Sequence, residues 1–168
     1  MRYNVHNHFK LGVVMQLDGF VQSRAPIIPE MLRGKLTMIA NYALDDTDVR
    51  LFGLALKAVE LQLQKDGIPK TDLTVVNVVF TRDGCFSISE SSMITYGFHF
   101  SLAVYALESL KKTNDARFIL TTFIEELAHH YWRIEDETAV KYKVVEIASN
   151  VTPDITIDYL KGCGVNGL

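Results

Sequence analysis

Residues 73–81 set the strongest limit on what this chain of 168 residues can fold into. Val75, Val76, Val78, Val79 and Phe80 place apolar side chains on both alternating faces of an extended segment. A strand of that kind has to be covered on both sides, so it belongs inside a sheet and under other elements. Asp83-Gly84 follows as a hairpin signal, with residues 85–89 as a short return strand.

The remaining segments supply the cover. Residues 11–21 read as extended, with Val13, Met15 and Leu17 at period two. Pro29 sits well at the start of a helix reaching residue 44. Asp45-Asp46-Thr47-Asp48 provides cap chemistry for a second helix over 49–65, which stops at Asp66-Gly67-Ile68-Pro69. Residues 93–100 alternate through Ile94, Tyr96, Phe98 and Phe100, then run into a helix from about 102 to 112. Asn114-Asp115 caps a long helix over 116–134, and Glu135-Asp136-Glu137 opens another to about 149, where acidic side chains suit the helix dipole. The tail beyond Pro153 reads as partly extended. Helices, a small sheet and then more helices predict an α+β fold in one domain over residues 1–168.

Composition narrows the partners. Seventeen Lys and Arg against twenty Asp and Glu give a net charge of −3, which argues against a binder of the nucleic-acid backbone. No apolar run approaches the ~18 residues of a spanning helix, so no membrane role is expected. Cys85 and Cys163 stand far apart without CxxC spacing, which favours a reducing cytoplasm over a disulfide framework.

The chemistry concentrates in residues 123–137. On a helix at 100° per residue, Ile119, Leu120, Phe123, Ile124, Leu127 and Tyr131 share one broad apolar face. Glu125 and His129 point nearly opposite, one turn apart, where their side chains can share a ligand. Phe118 and Trp132 flank that far side, so the helix is expected to be covered on two sides, with Glu125 and His129 converging in a cleft. A partly buried Glu and His need a partner, either each other or a metal ion. Three carboxylates just downstream tilt the balance toward a metal. Among the downstream acids, Glu135 lies six residues past His129, whereas Asp136 and Glu137 fall at a new helix N-terminus. The latter two are preferred as a third ligand, although capping that helix is an equally good role for either. Glu126-Leu-Ala-His129 also has the ExxH spacing of di-iron bundles, but no second copy exists to complete one. His130 leans to the edge of the apolar face and reads as a packing histidine. His6 and His8 lack partners in the sequence, and His99, in an apolar alternating stretch, reads as a satisfied buried or edge histidine.

Glu125-Glu126-Leu127-Ala128-His129, followed by His130-Tyr131-Trp132, resembles the HExxH signature of zincin-like metallopeptidases of small bacterial or phage type, with Glu125 in place of the first histidine. The resemblance implies a zincin-like domain, with a small mixed sheet packed on helices and a central motif-bearing helix. It makes Glu125 and His129 metal ligands, Glu126 the general base, and one downstream acid (Glu135, Asp136 or Glu137) the third ligand. The implied cofactor is a divalent metal, zinc first. A carboxylate at position 125 moves preference toward iron or manganese and leaves the ion less acidic. The activity implied is hydrolysis of a peptide or protein, weakened or lost through Glu125. The alternative is a catalytically inactive zincin-like scaffold, with or without a metal, that acts as a protein-binding protein or as a phage or mobile-element accessory protein.

Overall fold

A computed structural model describes residues 15–16, 20–85, 89–90 and 101–163. The elements in chain order are β1 (Met15–Gln16), β2 (Leu36–Ala40), α1 (Asp46–Lys65), β3 (Val76–Thr81), β4 (Ser89–Glu90) and β5 (Ser101–Ala106), then four helices. These are α2 (Leu107–Lys112), α3 (Ala116–Tyr131), α4 (Glu137–Ala148) and α5 (Ile157–Gly162). The architecture is α+β, and no described helix is long and apolar enough to cross a membrane.

Among the described residues, the main sheet is three-stranded, parallel and ordered β2-β3-β5. Its central strand is the doubly apolar run, begun at Val76 rather than at residue 73: Val76, Val78, Val79 and Phe80 are buried, whereas Val75 precedes the strand and is exposed. Parallel neighbours need a crossover, and α1 provides it between β2 and β3. Phe80 on β3 and Tyr105 on β5 stand opposite each other in register and face the helices. Phe52 of α1 and Phe123 of α3 meet them edge-on, with ring centroids 4.9–5.8 Å apart for Phe52–Phe80, Phe52–Tyr105 and Phe123–Tyr105. The four aromatic rings lock α1 and α3 to one face of the sheet. On its far side α3 packs against α4, so the motif helix is covered twice, and Phe118 and Trp132 are both packed against the core.

Four expectations change. The helix expected over residues 29–44 is a single 3-10 turn, Glu30–Leu32, followed by β2. Gly34 at φ +76° takes the chain out of helical space, and Leu36, Met38 and Ala40 then register against Val76, Val78 and Phe80. The Asp83-Gly84 turn forms, with Gly84 N–H donating to Thr81 Oγ1 at 2.7 Å, but it starts no hairpin on β3. Both edges of β3 are occupied by β2 and β5. The expected return strand survives only as β4, which pairs antiparallel with β1, and residues 86–88 lie outside the described residues. Among the described residues, the mixed sheet implied by the resemblance is therefore two ladders, one parallel and one antiparallel. Extended structure runs on to Ala106, so the helix expected from 102 begins at Leu107; residues 93–100 also lie outside the described residues. The tail carries α5, capped by the Thr156 side chain accepting from Tyr159 N–H, where extended chain was expected.

The caps read from the sequence do form. Asp45 accepts from the Thr47 and Asp48 amides at 2.9 Å, while Asp48 accepts from the Asp45 amide at 3.0 Å, a reciprocal capping box. Lys111 of α2 pairs with both carboxylates. Asp45→Ala is expected to cost ~1 kcal/mol in urea denaturation at neutral pH. The hydrogen bond from Lys111, with the Asp48 amide, holds the Asp45 carboxyl below its ordinary range. A depressed folded pKa stabilises fully above the unfolded value of about 3.9 and ceases to do so as pH falls through the folded value. The gap between variant and wild type should therefore narrow in acid. An undiminished gap at about pH 2.5 would show that charge plays no part in the cap.

Candidate metal centre at the α3–α4 corner

The site is built where α3 ends and α4 begins. Asp115 caps the start of α3 by accepting from the Arg117 and Phe118 amides, which sets the helix phase. Glu125 and His129 then fall one turn apart on the face toward α4. The helix stops at Tyr131, three residues short of the expected end, because Arg133 turns left-handed at φ +54°. That turn brings the Ile134 carbonyl back to His129, whose Nδ1–H donates to it at 2.6 Å. A carbonyl can only accept, so Nδ1 carries the proton and Nε2 is the ring nitrogen left to face the cluster. A backbone carbonyl holding Nδ1–H fixes the ring's orientation, as it does for metal-binding histidines.

The three downstream acids part company here. Asp136 caps α4, accepting from the Ala139 amide at 2.7 Å. Glu135 is exposed and stands outside the cluster. Glu137, the first residue of α4, reaches the site, with Oε1 3.8 Å from His129 Nε2. Among the described residues, one oxygen each from Glu125 and Glu137 and one nitrogen of His129 all lie within 4.8 Å of one another. Two carboxylates and an imidazole form a donor set that fits a divalent ion.

Glu126 lies beside the cluster and outside the donor set. Burial pushes its carboxyl above the ordinary range; His129 and Lys141 oppose that shift, and the like charges of Glu125 and Glu137 add to it. A carboxyl tuned upward is what general acid–base work near neutral pH requires. Tyr105 lies within electrostatic reach of Glu126, and burial together with that carboxylate keeps its phenol neutral. Its O–H donates to the Phe123 carbonyl at 2.9 Å and fixes the helix beneath the site.

Lys141 is the residue that the sequence reading missed. It is 5% exposed, lies on α4, and pairs with Glu125 across the helix–helix contact. Its spacing was a usable signal, since residues 137 and 141 are one turn apart and share a face of α4. Of the other histidines, His130 donates from Nε2–H to the Leu102 carbonyl at 3.1 Å and ties α3 to β5, a packing role as expected. His6, His8 and His99 lie outside the described residues. Cys85 and Cys163 are both free thiols.

No family model, curated protein or solved structure matches this chain.

Proposed function

We propose that the α3–α4 corner is a divalent-cation site and that the chain is a zincin-like, metal-dependent hydrolase of the metallopeptidase class with an altered EExxH motif. The observation that carries this reading is the convergence of Glu125, His129 and Glu137 within 4.8 Å, with His129 already oriented by the Ile134 carbonyl. Glu125, His129 and Glu137 would hold the ion, zinc first and iron or manganese as alternatives. When bound, the ion would supply Lewis acidity to polarise a peptide carbonyl and make water easier to deprotonate. Glu126 would take the proton of the attacking water and return it to the leaving amine. Two carboxylate donors neutralise a divalent charge more fully than two imidazoles would, so a slow hydrolase is the expectation.

A second reading rests on the Glu125–Lys141 pair. A carboxylate that already has a buried ammonium partner needs no metal. That favours an inactive scaffold of the same type, kept for protein contacts.

The test is zinc titration of protein carrying no histidine tag, followed by calorimetry and by elemental analysis after gel filtration. The wild type is expected to take up one ion per chain, and His129→Ala to lose affinity by more than the ~10–100-fold typical of an outer-shell change. Equal zinc uptake by the two proteins would place the ion elsewhere and end the hydrolase reading.

A further inference from the structure

The two helices at the site bring a cation of their own. Lys141 Nζ sits against Glu125, the residue that stands where the zincin signature has histidine. The Lys141 side chain is 6% exposed and that of Glu125 is 20% exposed, so the pair is sheltered from the solvent that would screen it. Lys141 also acts electrostatically on the neighbouring Glu126, so its charge reaches beyond Glu125 alone. Glu125 cannot give its lone pairs fully to an ion while it accepts from an ammonium. A divalent ion entering among Glu125, His129 and Glu137 would in addition meet a positive charge a few ångströms away.

We infer that Lys141 is a tethered counter-cation that competes with a divalent ion for Glu125 and so sets the occupancy of the site. The inference rests on the cation-site reading above and adds its regulation. With Lys141 seated, the two donor carboxylates carry one uncompensated negative charge between them. With Lys141 withdrawn they carry two, matching a divalent ion. Loading therefore requires the Lys141 side chain to give up Glu125, and whatever draws that ammonium away opens the site.

The experiment titrates zinc alone, followed by calorimetry, into the wild type, Lys141→Met and Lys143→Met. Methionine keeps the unbranched stem and removes the charge. Lys143 lies on the same helix but pairs with Asp66 and Glu146, away from the site, so it controls for net charge. Lys141→Met is expected to tighten zinc binding by at least about tenfold, since two like charges a few ångströms apart in a sheltered site repel by more than that factor. Lys143→Met should leave affinity unchanged. Lys141→Gln, whose amide can still hydrogen-bond to Glu125, replaces the methionine variant if circular dichroism shows that one misfolded. Unchanged or weaker zinc binding in the folded Lys141 variant, or an equal gain in Lys143→Met, overturns the inference. Zinc bound tightly by Lys141→Met without hydrolysis removes the hydrolase reading and leaves this inference standing. Zinc bound by none of the three proteins removes both.

Discussion

Glu126→Gln is expected to lower hydrolysis of fluorescent casein by ~10²–10⁴-fold while leaving zinc uptake unchanged. The substitution keeps the shape of the side chain and removes its ability to take a proton. Glu126 is outside the converging donor set, so the ion should not notice the change. The two readouts separate roles that adjacent glutamates would otherwise confuse. Glu125 touches the candidate ligand position and Lys141, whereas Glu126 is partly buried with a raised pKa beside them. An unchanged rate in Glu126→Gln would refute its role as base. A wild type that loads zinc and cleaves nothing would favour the inactive scaffold. Glu125→His then asks whether the altered ligand alone silenced the site, since it restores the HExxH pattern without touching the base.

Phe123→Ala is expected to destabilise the fold by ~3–5 kcal/mol in urea denaturation, the largest structural effect anticipated in this chain. Phe123 is fully buried, and its ring meets Tyr105 at 4.9 Å, Phe52 at 5.2 Å and Phe80 at 6.3 Å between centroids. Truncation removes edge-to-face contacts to three rings at once and opens a cavity between the sheet, α1 and α3. Side chains from three separate elements border that cavity, so collapse of any one would leave the others unsupported. The loss should also reach the site, because the Phe123 backbone carbonyl receives the Tyr105 hydroxyl two residues before Glu125. A change below ~1 kcal/mol would mean that the cluster repacks freely, which close-packed interiors rarely permit.

Local chemistry accounts for the parts of the fold that were readable from residue order. The α1 cap, the α3 cap and the α4 cap each depend on a side chain binding amides two or three residues away, so their signals lie within a few positions. The i,i+4 relation of Glu125 and His129 is likewise internal to one helix. Residues 29–44 show where such reasoning stops. Their apolar positions fit a helical period nearly as well as an alternating one; Gly34 breaks the helix locally, and the strand forms where β3 offers a parallel edge to Leu36–Ala40. The Asp83-Gly84 turn is similar: it forms as read, but its hairpin fails because β5, arriving from residue 101 onward, has taken the edge of β3.

The amino-acid order alone settled that this chain has a doubly buried strand, a twice-covered helix bearing Glu125, Glu126 and His129, and acids waiting at the next helix start. Those features follow from side-chain periodicity and short-range capping, which any stretch of chain expresses before it meets the rest. The tertiary structure decided the rest: a parallel sheet, Glu137 as the acid that joins the cluster, and Lys141 paired with Glu125. Each of these depends on which edges and faces meet across many residues of separation. Packing energy, which acts only once the elements are assembled, chooses among partners that local sequence leaves equal.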